Sequence, residues 1–146
     1  MKVQKPKPVV VQHTFAASPE RIWKALTDPA EMKKWYFDLP NFRADVGYKF
    51  RFDSGPSAEK TYVHLCEVTA VTVQKRLAYS WKYEGYAGDS LVVFDFLAKG
   101  EKTVLTVTHR GLETFPANNS DFAATNFKMG WTQILGKNLA DFLSKT

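Results

Sequence analysis

Residues 15–29 read FAASPERIWKALTDP, a stretch that carries two helix start signals. Ser18 can cap a helix through its side-chain oxygen, and Pro19 suits the first helical position, where no backbone N–H is needed. The same pair of signals recurs at Asp28 and Pro29. We therefore predict two consecutive short helices that stay separate instead of merging into one.

One strand is predicted before these helices, at residues 9–15, and the middle of the chain alternates between apolar and polar side chains. Tyr48, Phe50 and Phe52 share one face, because successive side chains of a strand point to opposite faces. The other alternating segments are residues 62–68, 77–83, 91–98 and 103–110. Short turns, including a turn cluster at residues 54–57, join them. This pattern predicts one antiparallel meander with one covered face.

The last segment changes its period to three and four. Large apolar residues recur at these steps from about residue 120 to residue 143, namely Phe127, Trp131, Ile134, Leu135, Leu139, Phe142 and Leu143. The spacing predicts a helix about 35 Å long, enough to cross a small sheet. Gly130 and Gly136 inside it each cost about 1 kcal/mol relative to alanine. They indicate either a close approach by a bulky neighbour or a tolerated weakness.

The composition is that of an ordinary globular domain. The chain has 146 residues, of which 45% are hydrophobic and 24% charged, and this excludes a disordered tail or a collagen-like fibre. We predict one domain over residues 1–146, with residues 1–8 as a flexible lead. No stretch is long and apolar enough for a signal peptide or a membrane span, so a cytoplasmic location is expected.

Cysteine usage and charge exclude further classes. Cys66 is the only cysteine, so neither an intrachain disulfide nor a multi-thiolate metal site is expected. It lies in an apolar stretch and is predicted to be a buried, unreactive thiol. The net charge of +5 comes from 20 basic and 15 acidic residues that are scattered along the chain. We therefore predict neither nucleic-acid binding nor integral membrane association.

The order of a strand, two short helices, a strand-rich middle and a long C-terminal helix resembles the helix-grip fold of the START-like superfamily, also called SRPBCC or birch-pollen-allergen-like. Within it, the sequence is similar to the branch named after the activator of the heat-shock protein 90 ATPase. The matching stretches are residues 15–29, Trp35, residues 76–81, residues 108–111, Gly130 and Trp131. The sequence departs from this family pattern at residues 72–74, where members of the family often have a proline. The resemblance implies an α+β fold in which a curved antiparallel β-sheet wraps around a long C-terminal α-helix.

Such a fold implies a cavity, because a curved sheet cannot lie flush against a straight helix along its whole length. Pockets of this kind measure roughly 300–1,000 Å³ and are mostly apolar. The predicted ligand-binding residues are the inward aromatic and imidazole side chains Trp35, Phe37, Phe50, Phe52, His64, Tyr79, Trp81, Phe94, Phe96, His109, Phe127 and Trp131. In the alternative interpretation these rings interlock and leave only a small void.

The sequence offers few groups for catalysis. His64 and His109 are the best acid–base candidates, since each can bind a polar ligand group, shuttle a proton, or be a hydrogen-bonded core residue. The hydroxyls of Tyr62, Tyr79 and Tyr83 are further candidate ligand contacts. No nucleophile elbow, phosphate-binding glycine loop or dinucleotide motif is present. We therefore assign no catalytic residue, no metal site and no cofactor.

Three functional hypotheses follow from the resemblance and the residues. The first is binding of a small hydrophobic ligand between the sheet and the C-terminal helix, in a carrier or stress-related role. The second is a co-chaperone-like protein that contacts a chaperone or another protein partner. The third is a cyclase- or dehydratase-like enzyme that uses a cavity histidine. We rank ligand binding first, protein interaction second and catalysis third.

Overall fold

The computed structural model describes residues 7–145. The strands are β1 (Val9–Phe15), β2 (Lys49–Ser57), β3 (Lys60–Thr72), β4 (Arg76–Tyr83), β5 (Ser90–Lys99) and β6 (Lys102–Arg110). The helices are α1 (Pro19–Thr27), α2 (Pro29–Trp35), α3 (Ala124–Gln133) and α4 (Ala140–Ser144), and the π-helical segment Ile134–Leu139 joins the last two. We call this continuous run the C-terminal helix. Of the expected lead at residues 1–8, residues 1–6 lie outside the described residues.

The two predicted short helices are separate, and their caps explain why. The Oγ of Ser18 accepts a hydrogen bond from the backbone N–H of Arg21 at 3.1 Å. Asp28 has an extended backbone, with φ −87° and ψ 118°, and its Oδ1 accepts from the N–H of Ala30 at 2.9 Å. Because one extended residue ends α1 and caps α2, the chain turns between them.

The six strands form one antiparallel sheet in the order β1-β6-β5-β4-β3-β2. Strands β2 to β6 follow one another as the predicted meander, and β1 pairs with β6 at the far edge. The sheet curls around the C-terminal helix, so the α+β helix-grip architecture is also confirmed. In the pairing register, Val92 lies opposite His109 and Phe94 lies opposite Val107. All four side chains are fully buried. Alternation along the strands therefore places one face of the sheet against the helix.

The hairpin between β2 and β3 differs from the prediction. Residues 54–57, expected to be the turn, continue β2, and the chain turns at residues 58–59. The pairing register shifts within this stretch, so Gly55 and Pro56 lie in a bulge. A Cβ at Gly55 would overlap the carbonyl oxygen of Lys60, which explains why this bulge contains a glycine.

The C-terminal helix starts later than predicted and runs for 21 residues. Residues 120–122 form a separate 3₁₀ turn, in which the side chain of Asn119 accepts from the N–H of Asp121 at 3.0 Å. The buried residues of the helix are Trp131, Leu135 and Leu139. No helix within residues 7–145 has the length and hydrophobicity needed to cross a membrane.

The two glycines of the C-terminal helix are not explained by a bulky neighbour. A Cβ at Gly130 would meet no heavy atom within 4 Å, and a Cβ at Gly136 would lie 3.8 Å from Nδ1 of His13, an ordinary contact. Space is therefore available at both positions. At Gly130 that space belongs to a pocket.

Candidate ligand-binding site

The middle of the gap between the sheet and the C-terminal helix is filled by aromatic side chains. The hydroxyls of Tyr36 and Tyr79 lie 2.6 Å apart, and the Tyr36 ring stacks on Trp131 at 6.3 Å between centroids. Trp131 also contacts Trp81 at 5.7 Å between centroids. Desolvation by burial raises the pKa of both tyrosines, so both hydroxyls stay protonated. This part of the gap has the interlocked packing of the alternative interpretation.

His109 lies in the same layer and is held at both ring nitrogens. The Ser90 hydroxyl donates its proton to the carbonyl oxygen of Trp81 at 2.6 Å, so the Ser90 Oγ accepts from Nε2 of His109 at 2.8 Å. On the other side, Nε1–H of Trp131 donates to Nδ1 of His109 at 3.1 Å. An indole N–H only donates, so these bonds assign a neutral ring protonated on Nε2.

These hydrogen bonds remove His109 from the acid–base candidates. Its proton-accepting lone pair on Nδ1 is engaged by the indole of Trp131, and its side chain is completely buried. Burial lowers the pKa of His109 to about 3, so the ring stays neutral at physiological pH. His109 is a positioning residue that ties the C-terminal helix to β5 and β6.

An open pocket of about 390 Å³ lies beside this filled layer, where the β2–β3 hairpin and the end of β4 meet the start of the C-terminal helix. Its ring-bearing walls are His64, Tyr83, Phe122 and Phe127, and its polar positions are Ser54, Tyr62, Asp121 and Asn126. Gly55, Pro56 and Gly130 complete the lining. None of these described lining residues is a lysine or an arginine, so the pocket offers aromatic surface, neutral polar groups and the single carboxylate of Asp121.

His64 forms the inner wall of this pocket. Its Nδ1 lies 3.0 Å from the carbonyl oxygen of Tyr62, and because a carbonyl only accepts, Nδ1 carries the proton. The ring stacks on Phe52 at 4.5 Å and meets Trp81 edge-on at 4.9 Å between centroids. Burial lowers the pKa of His64 to about 4, although nearby backbone carbonyls oppose that change. At neutral pH His64 presents an uncharged ring.

A polar cluster closes one side of the pocket mouth. The Oδ2 of Asp121 accepts from the Tyr62 hydroxyl at 2.6 Å and lies 2.7 Å from Nζ of Lys60. The Asn119 side chain donates to the Tyr62 hydroxyl at 3.2 Å. Hydrogen bonds from Lys60 and Tyr62 lower the pKa of Asp121, so it remains a carboxylate. These contacts join the start of β3 to the loop before the C-terminal helix.

The structure brings only part of the predicted lining to this pocket. His64 and Phe127 border it. A second layer of ring contacts lies behind them and contains Phe37, Phe52, Trp81, His109 and Trp131. The other predicted residues pack elsewhere: Trp35 against Tyr36, Phe50 and Phe94 against Tyr79, and Phe96 against Trp23. The ligand-binding role of all twelve residues remains a prediction.

Sequence reasoning missed several residues at the pocket. Asp121 lies in the 3₁₀ turn, which the predicted helix had included, and Asn126 lies at the start of α3 as a polar residue outside the apolar periodicity. Gly130 was interpreted as a site of close approach or as a tolerated weakness of that helix, and not as part of a pocket lining. The asparagine at position 119, two residues before Asp121, is the local signal for a separate capped turn.

Comparison with known proteins agrees with this architecture. The family model described as "Activator of Hsp90 ATPase homolog 1-like protein" matches residues 16–144. The solved structure of MLL2253 from Mesorhizobium loti is 29% identical, with a TM-score of 0.78, and the alignment covers 96% of this chain and 98% of that one. None of the curated proteins matches the sequence significantly.

Two further solved structures share the fold. DynU16, a protein of the dynemicin biosynthetic locus, is 25% identical with a TM-score of 0.76, over 96% of this chain and 48% of that one. This chain therefore spans about half the length of DynU16. PFC0360w, an HSP90 activator from Plasmodium falciparum, is 22% identical with a TM-score of 0.71, over 95% of this chain and 97% of that one. At that identity the likeness shows the fold alone.

Proposed function

This chain belongs to the family of Activator of Hsp90 ATPase homolog 1-like proteins, and we propose that it binds a small hydrophobic molecule. The observation that carries the proposal is the open pocket of about 390 Å³ between the sheet and the C-terminal helix. This volume lies within the range of about 300–1,000 Å³ that is typical of small-molecule sites. A carrier role would follow from reversible occupancy of this pocket.

The lining favours a neutral, planar aromatic ligand. Tyr83 stacks on Phe122 at 4.7 Å between centroids, and Phe127 provides a further aromatic wall. A carboxylate in this pocket would lose hydration without gaining a free cation, because His64 is neutral and none of the described lining residues is a lysine or an arginine. The ammonium of Lys60, at the mouth, is already paired with Asp121 at 2.7 Å. A phenolic hydroxyl can instead hydrogen-bond to neutral or acidic groups at the mouth, such as Asn126 and Asp121.

The proposal is tested with a matched pair of probes, 2-naphthol and 2-naphthoate. Added naphthol should raise the melting temperature in proportion to the logarithm of its concentration above Kd, and naphthoate should raise it less. Gly130→Leu should remove the naphthol effect, since its side chain would project into the pocket at a position with no neighbour within 4 Å. Thr132→Leu adds apolar volume at an exposed position of the same helix and is the control.

The outcomes distinguish pocket binding from general stickiness. The proposal is supported if Gly130→Leu remains folded, loses the naphthol effect, and Thr132→Leu keeps it. Equal stabilisation of all three proteins would place the probe outside the pocket and contradict the proposal. Absence of any shift across neutral polycyclic compounds would contradict it as well.

Cyclase-like catalysis is the second candidate function. His64 borders the pocket, and DynU16, whose structure is similar, is described as a protein of a biosynthetic locus. A base role would fall to His64 alone, since both nitrogens of His109 are engaged. Conversion of an aromatic polyketide-like chain by the wild type, lost in His64→Gln with ligand binding retained, would support this role. Retained conversion in that variant would exclude it.

A further inference from the structure

A second recess lies on another side of the molecule, between α2 and the end of the C-terminal helix. It has a volume of about 670 Å³, and we call it the basic groove. Three exposed lysines, Lys33, Lys34 and Lys145, and one exposed carboxylate, Asp141, line it, together with the half-buried rings of Tyr36 and Phe142. From this arrangement we propose that the basic groove binds an acidic segment of a partner protein. The inference is separate from the small-molecule pocket and does not rest on it.

The positive charge of the basic groove is not balanced from within the described residues. No carboxylate of residues 7–145 forms an ion pair with Lys33, Lys34 or Lys145. The acids at the groove are paired with other cations: the lining residue Asp141 lies 3.5 Å from Lys137, and the nearby Glu31 lies 2.6 Å from Arg21 and 3.4 Å from Lys24. Complementary charge on a partner would therefore find three cations available, which favours specificity and fast association.

The groove also offers apolar contact between its charges. The Tyr36 hydroxyl is committed to Tyr79 at 2.6 Å, so Tyr36 contributes only part of its ring to the groove. The Phe142 ring is held by the guanidinium of Arg21, whose Cζ lies 5.4 Å from the ring centroid. Protein interfaces combine aromatic centres with polar rims. A segment with several carboxylates around one large apolar side chain fits this chemistry.

The same observations favour a protein segment over nucleic acid or a membrane. Within the described part of the chain no arginine lines the groove, although arginine is the residue that best matches phosphate in two-pronged hydrogen bonds. Three lysines are also fewer than the roughly 6–10 phosphate contacts that drive strong duplex binding. A recess between two helices does not present the flat cationic face that a bilayer surface would contact.

The test uses fluorescence anisotropy with a labelled peptide of Asp and Glu residues around one central Phe. We expect saturable binding that weakens as salt rises. The double variant K33E/K34E should weaken binding by about tenfold or more, because it replaces attraction by repulsion. K99E/K102E is the matched control, since it makes the same charge change at an exposed hairpin between β5 and β6 and should weaken binding by less than about twofold.

Two measurements keep the result interpretable. K33Q/K34Q removes both charges without placing acids at the end of α2 and should give a smaller loss of peptide affinity in the same direction. Thermal melts check that each variant folds.

Equal loss of peptide affinity in K33E/K34E and K99E/K102E would show a net-charge effect and overturn the proposal. Absence of saturable peptide binding would overturn it as well. Tighter binding of single-stranded DNA or of phosphatidylserine vesicles through Lys33 and Lys34 would overturn the assigned partner class. Gly130→Leu should leave peptide binding unchanged, so failure here is separable from failure of the pocket.

Discussion

The Nε1 of Trp131 donates a hydrogen bond to the Nδ1 of His109 across 3.1 Å, and this bond joins the C-terminal helix to the inward face of the sheet. Both side chains are buried. The second nitrogen of His109 is bonded to Ser90, whose own proton goes to a main-chain carbonyl. One chain of polar groups therefore anchors the helix inside an otherwise aromatic layer.

Removing the indole donor should destabilise the fold. Trp131→Phe keeps an aromatic ring but leaves Nδ1 of His109 without a donor, which should lower the free energy of unfolding by about 1–3 kcal/mol. Urea denaturation measures the change. Trp23→Phe, at a half-buried position on α1, is the control and should cost less. Equal losses in the two variants would show that the hydrogen bond contributes nothing beyond ring size.

Stability should fall as the pH falls below about 6.5. Burial lowers the pKa of His64 to about 4 and of His109 to about 3, from 6.5 in an unfolded chain. The unfolded state therefore binds more protons from pH 6.5 down to about 4 through His64 and down to about 3 through His109. The stabilisation is complete above pH 6.5 and is lost progressively as the pH falls through these windows. Each histidine contributes a slope of up to about 1.4 kcal/mol per pH unit.

The measurement is urea denaturation at pH 7 and at pH 5. His64→Gln should reduce the difference between the two pH values, because one of the two titrating rings is removed. His13→Gln is a control at a half-buried histidine on β1. An unchanged pH dependence in the His64 variant would contradict the link to that ring.

The two tyrosine hydroxyls at the centre of the gap should be energetically coupled. Tyr36 and Tyr79 share one hydrogen bond of 2.6 Å in a buried layer, so Tyr36→Phe or Tyr79→Phe should each cost about 1–3 kcal/mol by leaving the other hydroxyl unpaired. The double variant should cost less than the sum of the two, by about 0.5–3 kcal/mol. Strict additivity in a double-mutant cycle would show that the hydroxyls act independently.

Cys66 should be inert in the folded protein. Its side chain is 5% exposed, and burial raises the pKa of the thiol, so little thiolate forms at neutral pH. Labelling with a thiol reagent should proceed only as fast as the protein opens, and urea should accelerate it. Rapid labelling at pH 7 without denaturant would indicate an open route to the β3 interior.

Much of the architecture could be predicted because its signals are local. The caps at Ser18 and Asp28 identify two helices, and alternation identifies every strand of the sheet within a few residues. The misplaced hairpin turn shows the limit of this reasoning. Gly55 and Pro56 have turn composition, but the pairing of β2 with β3 continues past them, and only contacts between strands determine that register.

The site was less accessible to prediction, because side chains with the same inward direction have different surroundings. Alternation puts His64 and His109 on one face, yet His64 borders a pocket while His109 is closed off by Ser90 and Trp131. No periodicity distinguishes these two outcomes, since they depend on which rings meet across the gap.

The positions of the helices and strands and the inward direction of the aromatic rings were already contained in the amino-acid sequence, because capping and alternation act between near neighbours. The pairing of β1 with β6, which joins residues 9–15 to residues 103–109, was decided by the tertiary structure. The filled centre, the pocket at one end, and the lysines of the basic groove that have no ion-pair partner within residues 7–145 were determined only when distant segments packed together. The physical reason is that free volume and charge balance are sums over neighbours in space: Gly130 borders an open space because of what the β2–β3 hairpin and the 3₁₀ turn leave unoccupied.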